Sequence, residues 1–196
     1  MKAIVSSLIV LMLVLVSAHA VPVDAQSTGG KIVVVMRTNM GSIDIELDAQ
    51  KAPITVANFL KYVLESHYDS TVMHRVIKGF MLQGGGFTTE YQKKTTNSPI
   101  KNEADNGLKN KRGTIAMART QIVDSATNQF FINHSDNDFL DHKEKSPEGY
   151  GYCVFGKVIK GMSVVDKIAN VGVRKGSISE AVPVSPIIIE FIKVKD

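Results

Sequence analysis

After residue 30 the chain opens and closes on strand-like apolar runs, Ile32 to Met36 and Ile187 to Val194, and this bracket limits its architecture more than any other feature. An unpaired end strand leaves a row of N–H and C=O groups open to other chains, so strong strands at both ends favour a closed sheet. Between them, Ser42 to Leu47 alternates apolar and polar after a turn at Thr38 to Gly41, as a half-buried strand does. Tyr68 to Phe87 reads as short strands and turns punctuated by Gly79, Gly84, Gly85 and Gly86. Thr114 to Ala118, Gln129 to Asn133 and Cys153 to Val158 are further strand candidates, whereas Thr88 to Asn110 is polar and reads as a long surface excursion. Two segments carry a helical period. One starts at Pro53, with a stripe of Val56, Ala57, Leu60, Val63 and Leu64; the other, Gly161 to Ala169, places Met162, Val165, Ile168 and Ala169 on one face. Seven or eight short strands and two separated helices, without strand–helix alternation, disfavour a doubly wound sheet. The pattern predicts one mainly β domain over residues 31–196; a barrel and a sandwich both satisfy it.

The first 20 residues read differently. Lys2 precedes an apolar run from Ile4 to Val16, and Ala18-His19-Ala20 has the small-x-small form of a cleavage site. The run is shorter than the roughly 20 residues of a membrane span. Residues 1–20 are therefore expected to be a secretory signal cut after Ala20, with Ala25 as a second choice and an uncleaved anchor as the alternative. Residues 21–30, which end in Gln-Ser-Thr-Gly-Gly, read as a flexible lead. No stable membrane insertion is expected after cleavage.

Charge and cysteine usage exclude several classes. The net charge of +4 is spread along the chain, with no basic stripe interleaved with aromatics, so nucleic acid is not an expected partner. The single cysteine, Cys153, cannot form an internal disulfide and reads as a small apolar group in a buried strand. His67, His74, His134 and His142 lack the spacing of a compact ligand set, so no metal is expected. Asp44 and Glu46 share one side of a strand, as paired catalytic carboxylates would, but read as the solvent face of an alternating strand. Gly151 to Lys157 has the spacing of a phosphate loop, yet bulky Tyr152 to Phe155 and the following Val158 do not suit one. Asn133-His134-Ser135 has glycosylation spacing, meaningful only where a host supplies that chemistry.

Three segments remain: Met73 to Gly85, Ala116 to Asn133 and Phe139-Leu140-Asp141. The first sets one guanidinium and one amide among large apolar side chains. Taken alone, Arg75 would pass for a structural or surface arginine, and Phe80 and Met81 for core. Together, His74-Arg75-Val76-Ile77, Gly79-Phe80-Met81, Gln83-Gly84-Gly85, Gln129-Phe130-Phe131-Ile132, Phe139-Leu140-Asp141 and Val154-Phe155-Gly156-Lys157-Val158 resemble, in order, the signature pieces of the cyclophilin family of peptidyl-prolyl isomerases. The resemblance runs from about Val33 to the end; with the expected export signal and the stretches Lys101-Asn102-Glu103-Ala104 and Gly113 to Arg119, the chain most resembles the periplasmic members of Gram-negative bacteria.

The resemblance implies a closed eight-stranded antiparallel β-barrel capped by two α-helices, with a peptide groove on its outside. It implies Arg75 as the catalytic residue and Phe80, Met81, Phe131 and Leu140 as the pocket for proline. Gln83 would bond the peptide and help hold the arginine, with Ala118, Arg119, Gln129, Phe139 and Tyr152 along the groove. No cofactor, metal, nucleotide or covalent intermediate is implied; the partners would be proline-containing, unfolded or partly folded exported polypeptides, and the enzyme a periplasmic monomer. Four positions depart from the family's usual residues. Phe139 stands where many eukaryotic members have a tryptophan that donates to cyclosporin, so weak binding of that drug is expected. Tyr152 replaces a groove histidine. Arg119 replaces a frequent asparagine, and its charge would favour acidic residues near the substrate proline. Lys78 replaces a proline before the Gly-Phe-Met block.

Overall fold

The computed structural model describes residues 32–195, so the expected signal and lead at 1–20 and 21–30 lie outside the described residues. Ten strands and two helices follow one another: β1 (Ile32–Thr38), β2 (Gly41–Leu47), α1 (Pro53–Leu64), β3 (Thr71–Ile77), β4 (Met81–Thr88), β5 (Thr114–Met117), β6 (Phe130–Asn133), β7 (Val154–Lys160), α2 (Met162–Ala169), β8 (Val173–Arg174), β9 (Val182–Pro183) and β10 (Ile188–Val194). Eight of the strands close into an antiparallel barrel in the order β1-β10-β3-β4-β6-β5-β7-β2. The first and last strands pair directly, from Val34 opposite Val194 to Thr38 opposite Ile189, which settles barrel over sandwich.

Period-two alternation divides each strand between two surfaces. Ile43, Ile45, Leu82, Ile115, Met117, Phe130, Ile132 and Phe155 belong to the inner core. Their neighbours Met81, Ala116, Phe131 and Val154 form a separate outer cluster with Leu140. Rings of Phe59, Tyr68, Phe130 and Phe155 meet at centroid distances of 5.2–5.7 Å in the tilted and edge-on geometries that aromatic pairs prefer.

Phe59 comes from α1, and that shifts the buried stripe from the expected one. Thr55, Val56, Phe59, Tyr62 and Val63 are buried, whereas Ala57 and Leu64 are exposed. Phe59 and Tyr62, which the aliphatic stripe left out, sit on the buried face and join the core. Ala52 before the helix offers no capping side chain. The free N–H groups of Ile54 and Thr55 instead donate to the two Glu103 carboxylate oxygens, at 3.1 and 2.8 Å. The excursion after β4 is thus not merely surface: Asn102, Ala104 and Asn110 within it are buried. In α2 the stripe is as expected, with Val165, Ile168 and Ala169 buried.

One other expectation is corrected. Asp44 is not on an open solvent face: it is 7 % exposed and bonded at 2.5 Å to the side chain of Lys195, whose backbone stays on β1 through its N–H to the Val33 carbonyl. Asn133 is fully buried, which takes the glycosylation spacing out of reach. The phosphate-loop mimic runs into β7, where its glycines serve close backbone approach. A Cβ at Gly156 would lie 2.5 Å from the Glu46 carbonyl oxygen; one at Gly151, whose φ is +79°, would lie 2.6 Å from His142 N. Cys153 is buried just before β7 against Thr55 Oγ1 at 3.3 Å, and burial pushes its thiol up to about 12.

Candidate functional site

The site grows from one cross-strand row. Arg75 on β3 stands opposite Gln83 on β4, Gln83 opposite Phe131 on β6, Phe131 opposite Ala116 on β5, and Ala116 opposite Val154 on β7. Directly paired residues point to the same side of a sheet, so these five line up on the outside of the barrel. Met81, two residues before Gln83, adds to the same face. A guanidinium, an amide and an apolar floor are thereby placed side by side by register alone.

Three loops build the walls. The turn between β3 and β4 projects Phe80, whose carbonyl accepts from His134 N and Asn137 Nδ2, both at 2.9 Å. Asn137 also donates to Asn133 Oδ1 at 2.7 Å, and Asn133 in turn to Asn110 Oδ1 at 3.2 Å and Thr114 Oγ1 at 2.8 Å. Asn110 reaches the Leu140 carbonyl at 3.2 Å. This chain of buried amides ties Phe80 to the short 3-10 turn Asp138–Leu140, which supplies the opposite wall. Buried amides hold position only when their bonds are satisfied, and here each finds partners. Phe139 on that turn is 64 % exposed, its ring 5.5 Å from that of Phe80. The third wall is Tyr152, held by its N–H on the Leu140 carbonyl at 2.9 Å and edge-on to Phe131 at 5.8 Å.

Nine of the eleven residues singled out above line one cavity of about 160 Å³: Arg75, Phe80, Met81, Gln83, Ala118, Arg119, Phe131, Leu140 and Tyr152. The other two adjoin it, Phe139 through Phe80 and Gln129 through its Oε1, which accepts from Gln83 Nε2 at 2.9 Å. Among the described residues, no group of three or more His, Cys, Asp or Glu side chains gathers as metal ligands would.

Two contacts differ from the sequence expectation. Gln83 donates one N–H of its side-chain amide to Gln129 and makes no bond to Arg75, whose guanidinium is held by Glu180 instead: Nε and Nη2 both donate to Glu180 Oε1, at 3.0 and 2.8 Å. Its Nη1 stays on the pocket side, 4.0 Å from Met81 Sδ, with the guanidinium carbon 5.7 Å from the Phe80 ring centre. The Arg119 guanidinium, in contrast, is engaged by the protein's own backbone. It donates to the carbonyls of Gly151, Thr120 and Pro147, each at 2.9 Å, and lies 4.8 Å over the Tyr152 ring. Glu180 and the Asn110–Asn133–Asn137 chain carry no local sequence signal, because their partners are far away along the chain.

Residues 33–194 match the family model for cyclophilin type peptidyl-prolyl cis-trans isomerase/CLD. The chain is 53% identical over 161 residues to peptidyl-prolyl cis-trans isomerase A of Dickeya dadantii, covering 82% of this chain and 83% of the relative. It is 53% identical over 163 residues to peptidyl-prolyl cis-trans isomerase B of Escherichia coli, covering 83% and 99%. A crystal structure of a Cryptosporidium parvum cyclophilin type isomerase in the presence of the dipeptide Ala-Pro superimposes with a TM-score of 0.70 at 27% identity, covering 84% of this chain and 99% of that one. With the barrel, the outer groove and these matches in hand, the chain belongs to the cyclophilin-type peptidyl-prolyl cis-trans isomerase family.

Proposed function

We propose that this isomerase accelerates rotation about X-Pro bonds in exported polypeptides by donating a hydrogen bond from Arg75 to the prolyl nitrogen. Family membership carries the general activity on X-Pro bonds of proline-containing peptides. The observation that supports the finer reading is the Arg75 guanidinium with its Nη1 beside an apolar pocket of Phe80, Met81, Phe131 and Leu140.

The reaction breaks no bond. Amide resonance sets a barrier of about 18–20 kcal/mol, which leaves uncatalysed prolyl exchange at roughly tens to hundreds of seconds. As the bond twists, the nitrogen loses conjugation, becomes pyramidal and accepts a hydrogen bond it could not accept when planar. A donor fixed at that point binds the twisted state more tightly than either planar isomer. In this reading the pocket anchors the proline ring, the carbonyl side rotates, and Gln83 and the backbone along Ala118 and Arg119 hold the peptide. Gln129 fixes Gln83, while Phe139 and Tyr152 form the groove walls. The apolar walls keep water from competing for the guanidinium.

Residues 1–20 act as the export signal in the same proposal, residues 21–30 as a flexible lead, and residues 31–196 as the isomerase domain, a monomer in the periplasm. A mature protein recovered from a Gram-negative periplasm should begin at Val21, which intact-mass measurement reads directly. For the chemistry, two-dimensional exchange NMR on a short Ala-Pro peptide compares wild type with Arg75→Lys. Wild type should accelerate exchange between the cis and trans peaks, both directions by the same factor, and the lysine variant should lose about 100-fold or more of that acceleration, since an ammonium lacks the rigid fork of donors. A folded lysine variant of wild-type rate would refute the role of Arg75. Peptide binding by wild type without exchange would make the groove a holding site for proline segments.

A further inference from the structure

We infer that Glu180, carried on the loop before β9, is the positioning residue that aims the Arg75 guanidinium into the proline pocket. The inference rests on the role of Arg75 proposed above. A guanidinium on a three-carbon stem has several orientations, and only one directs a chosen N–H at a given point. Two of its three nitrogens converge here on a single oxygen, Glu180 Oε1, at 3.0 and 2.8 Å, so the pair fixes both the tilt and the rotation of the planar group. The nitrogen left over is Nη1, and it is the one beside Met81.

Glu180 itself is not a freely swinging surface acid. The residue after it, Ala181, is buried; its carbonyl accepts from Val76 N at 2.9 Å, and its N–H donates to Ser179 Oγ at 3.1 Å. Val76 directly follows Arg75, so the same backbone contact that docks the loop on β3 brings carboxylate and guanidinium into register. Val182 pairs with Arg174 across the small β8–β9 sheet and is buried, which holds the loop from its other side. The sheet that sequence periodicity overlooked thus has a use: it presents one carboxylate to one arginine across 105 residues of chain. The Glu180 carboxyl is itself held below the usual carboxylate range by its own backbone N–H and by Arg75, so it carries its charge in the folded protein at neutral pH.

The test uses Glu180→Ala and Glu180→Gln in the mature protein, with Arg75→Lys alongside and the same Ala-Pro peptide as probe. Glu180 is 62 % exposed at its side chain, so neither variant should alter folding, and a thermal melt verifies that. Glu180→Ala is expected to lower turnover at saturating peptide about fivefold, with peptide affinity changed less than about twofold. Glu180→Gln keeps the accepting oxygen and should recover turnover to within about twofold of wild type. The Arg75 Nε–Hε NMR signal should move or broaden in the alanine variant and stay in the glutamine one. Wild-type turnover in Glu180→Ala overturns the inference. So does a loss of affinity at unchanged turnover, which would make Glu180 a substrate contact. Wild-type turnover in Arg75→Lys instead removes the role of Arg75, and this inference with it, by a different result.

Discussion

Two arginines rim the same cavity and are used in opposite ways. Arg75 has one charged partner, an exposed carboxylate that takes Nε and Nη2 and leaves Nη1 on the pocket side beside Met81 Sδ. Arg119 has its donors spread over the carbonyls of Gly151, Thr120 and Pro147, and its flat face lies on Tyr152. The first guanidinium keeps a donor in reserve. The second is spent on joining two loops. Charge and residue type are equal in the two cases, so neither indicates which arginine could act on a substrate; the count of uncommitted N–H groups does.

The largest effect that could break this contrast is on turnover. Arg75→Lys should cost about 100-fold or more while leaving the thermal midpoint within a few degrees. Equal sensitivity of Arg119→Lys in the exchange assay would erase the distinction. A second measurement separates the charge of the groove from that of the strand beneath it. His74 precedes Arg75 on β3 but points inward, 4 % exposed, and its Nδ1 is a buried side-chain nitrogen without a hydrogen-bond partner. Burial, with the Arg75 charge beside it, pushes His74 down to about 4 from the ordinary 6.5. The unfolded chain then binds a proton that the folded one refuses, so stability is full above pH 6.5 and falls as pH drops toward 4. That loss amounts to about 3 kcal/mol at most, read by denaturant titration at several pH values. His74→Phe should flatten the slope, whereas guanidinium charge does not change over this range.

Smaller effects test the scaffolding. Asn137→Ala removes donors to Phe80 O and Asn133 Oδ1 in a buried place, and should cost about 2 kcal/mol in chemical denaturation. Turnover should fall with it, since Phe80 loses its tether. Arg119→Ala should destabilise by only about 1 kcal/mol, because Thr120 and Pro147 are exposed and water can replace the guanidinium at their carbonyls, leaving only buried Gly151 one donor short. Its signature is local: faster amide hydrogen exchange at 147–152 and at Tyr152 in particular. Unchanged exchange there would mean that Arg119 joins nothing.

The strands and helices were legible because each leaves a local period. Ile43, Ile45 and Leu47 alternate, and Val165, Ile168 and Ala169 recur at helical spacing. Alternation told which side of β2 faces inward, but not that Lys195 would cover Asp44 from outside; that depends on β1 pairing with both β2 and β10. The β8–β9 pair was missed because two residues per strand give no period at all. The choice between barrel and sandwich, and the groove residues as a set, came with the family resemblance and not with the pattern. Register then explains the set: one outward row across β3, β4, β6, β5 and β7 cannot be seen until the strands are paired. Glu180 and Asn137 were invisible for the same reason.

The pairing of β1 with β10 governs timing as well as shape. Strand β10 lies between β1 and β3, so a chain that stops at residue 187 has two raw margins and an interior open along its length. The last stave is also the clasp. A ribosome that has not yet released residues 188–194 is therefore holding a chain whose barrel is not yet closed.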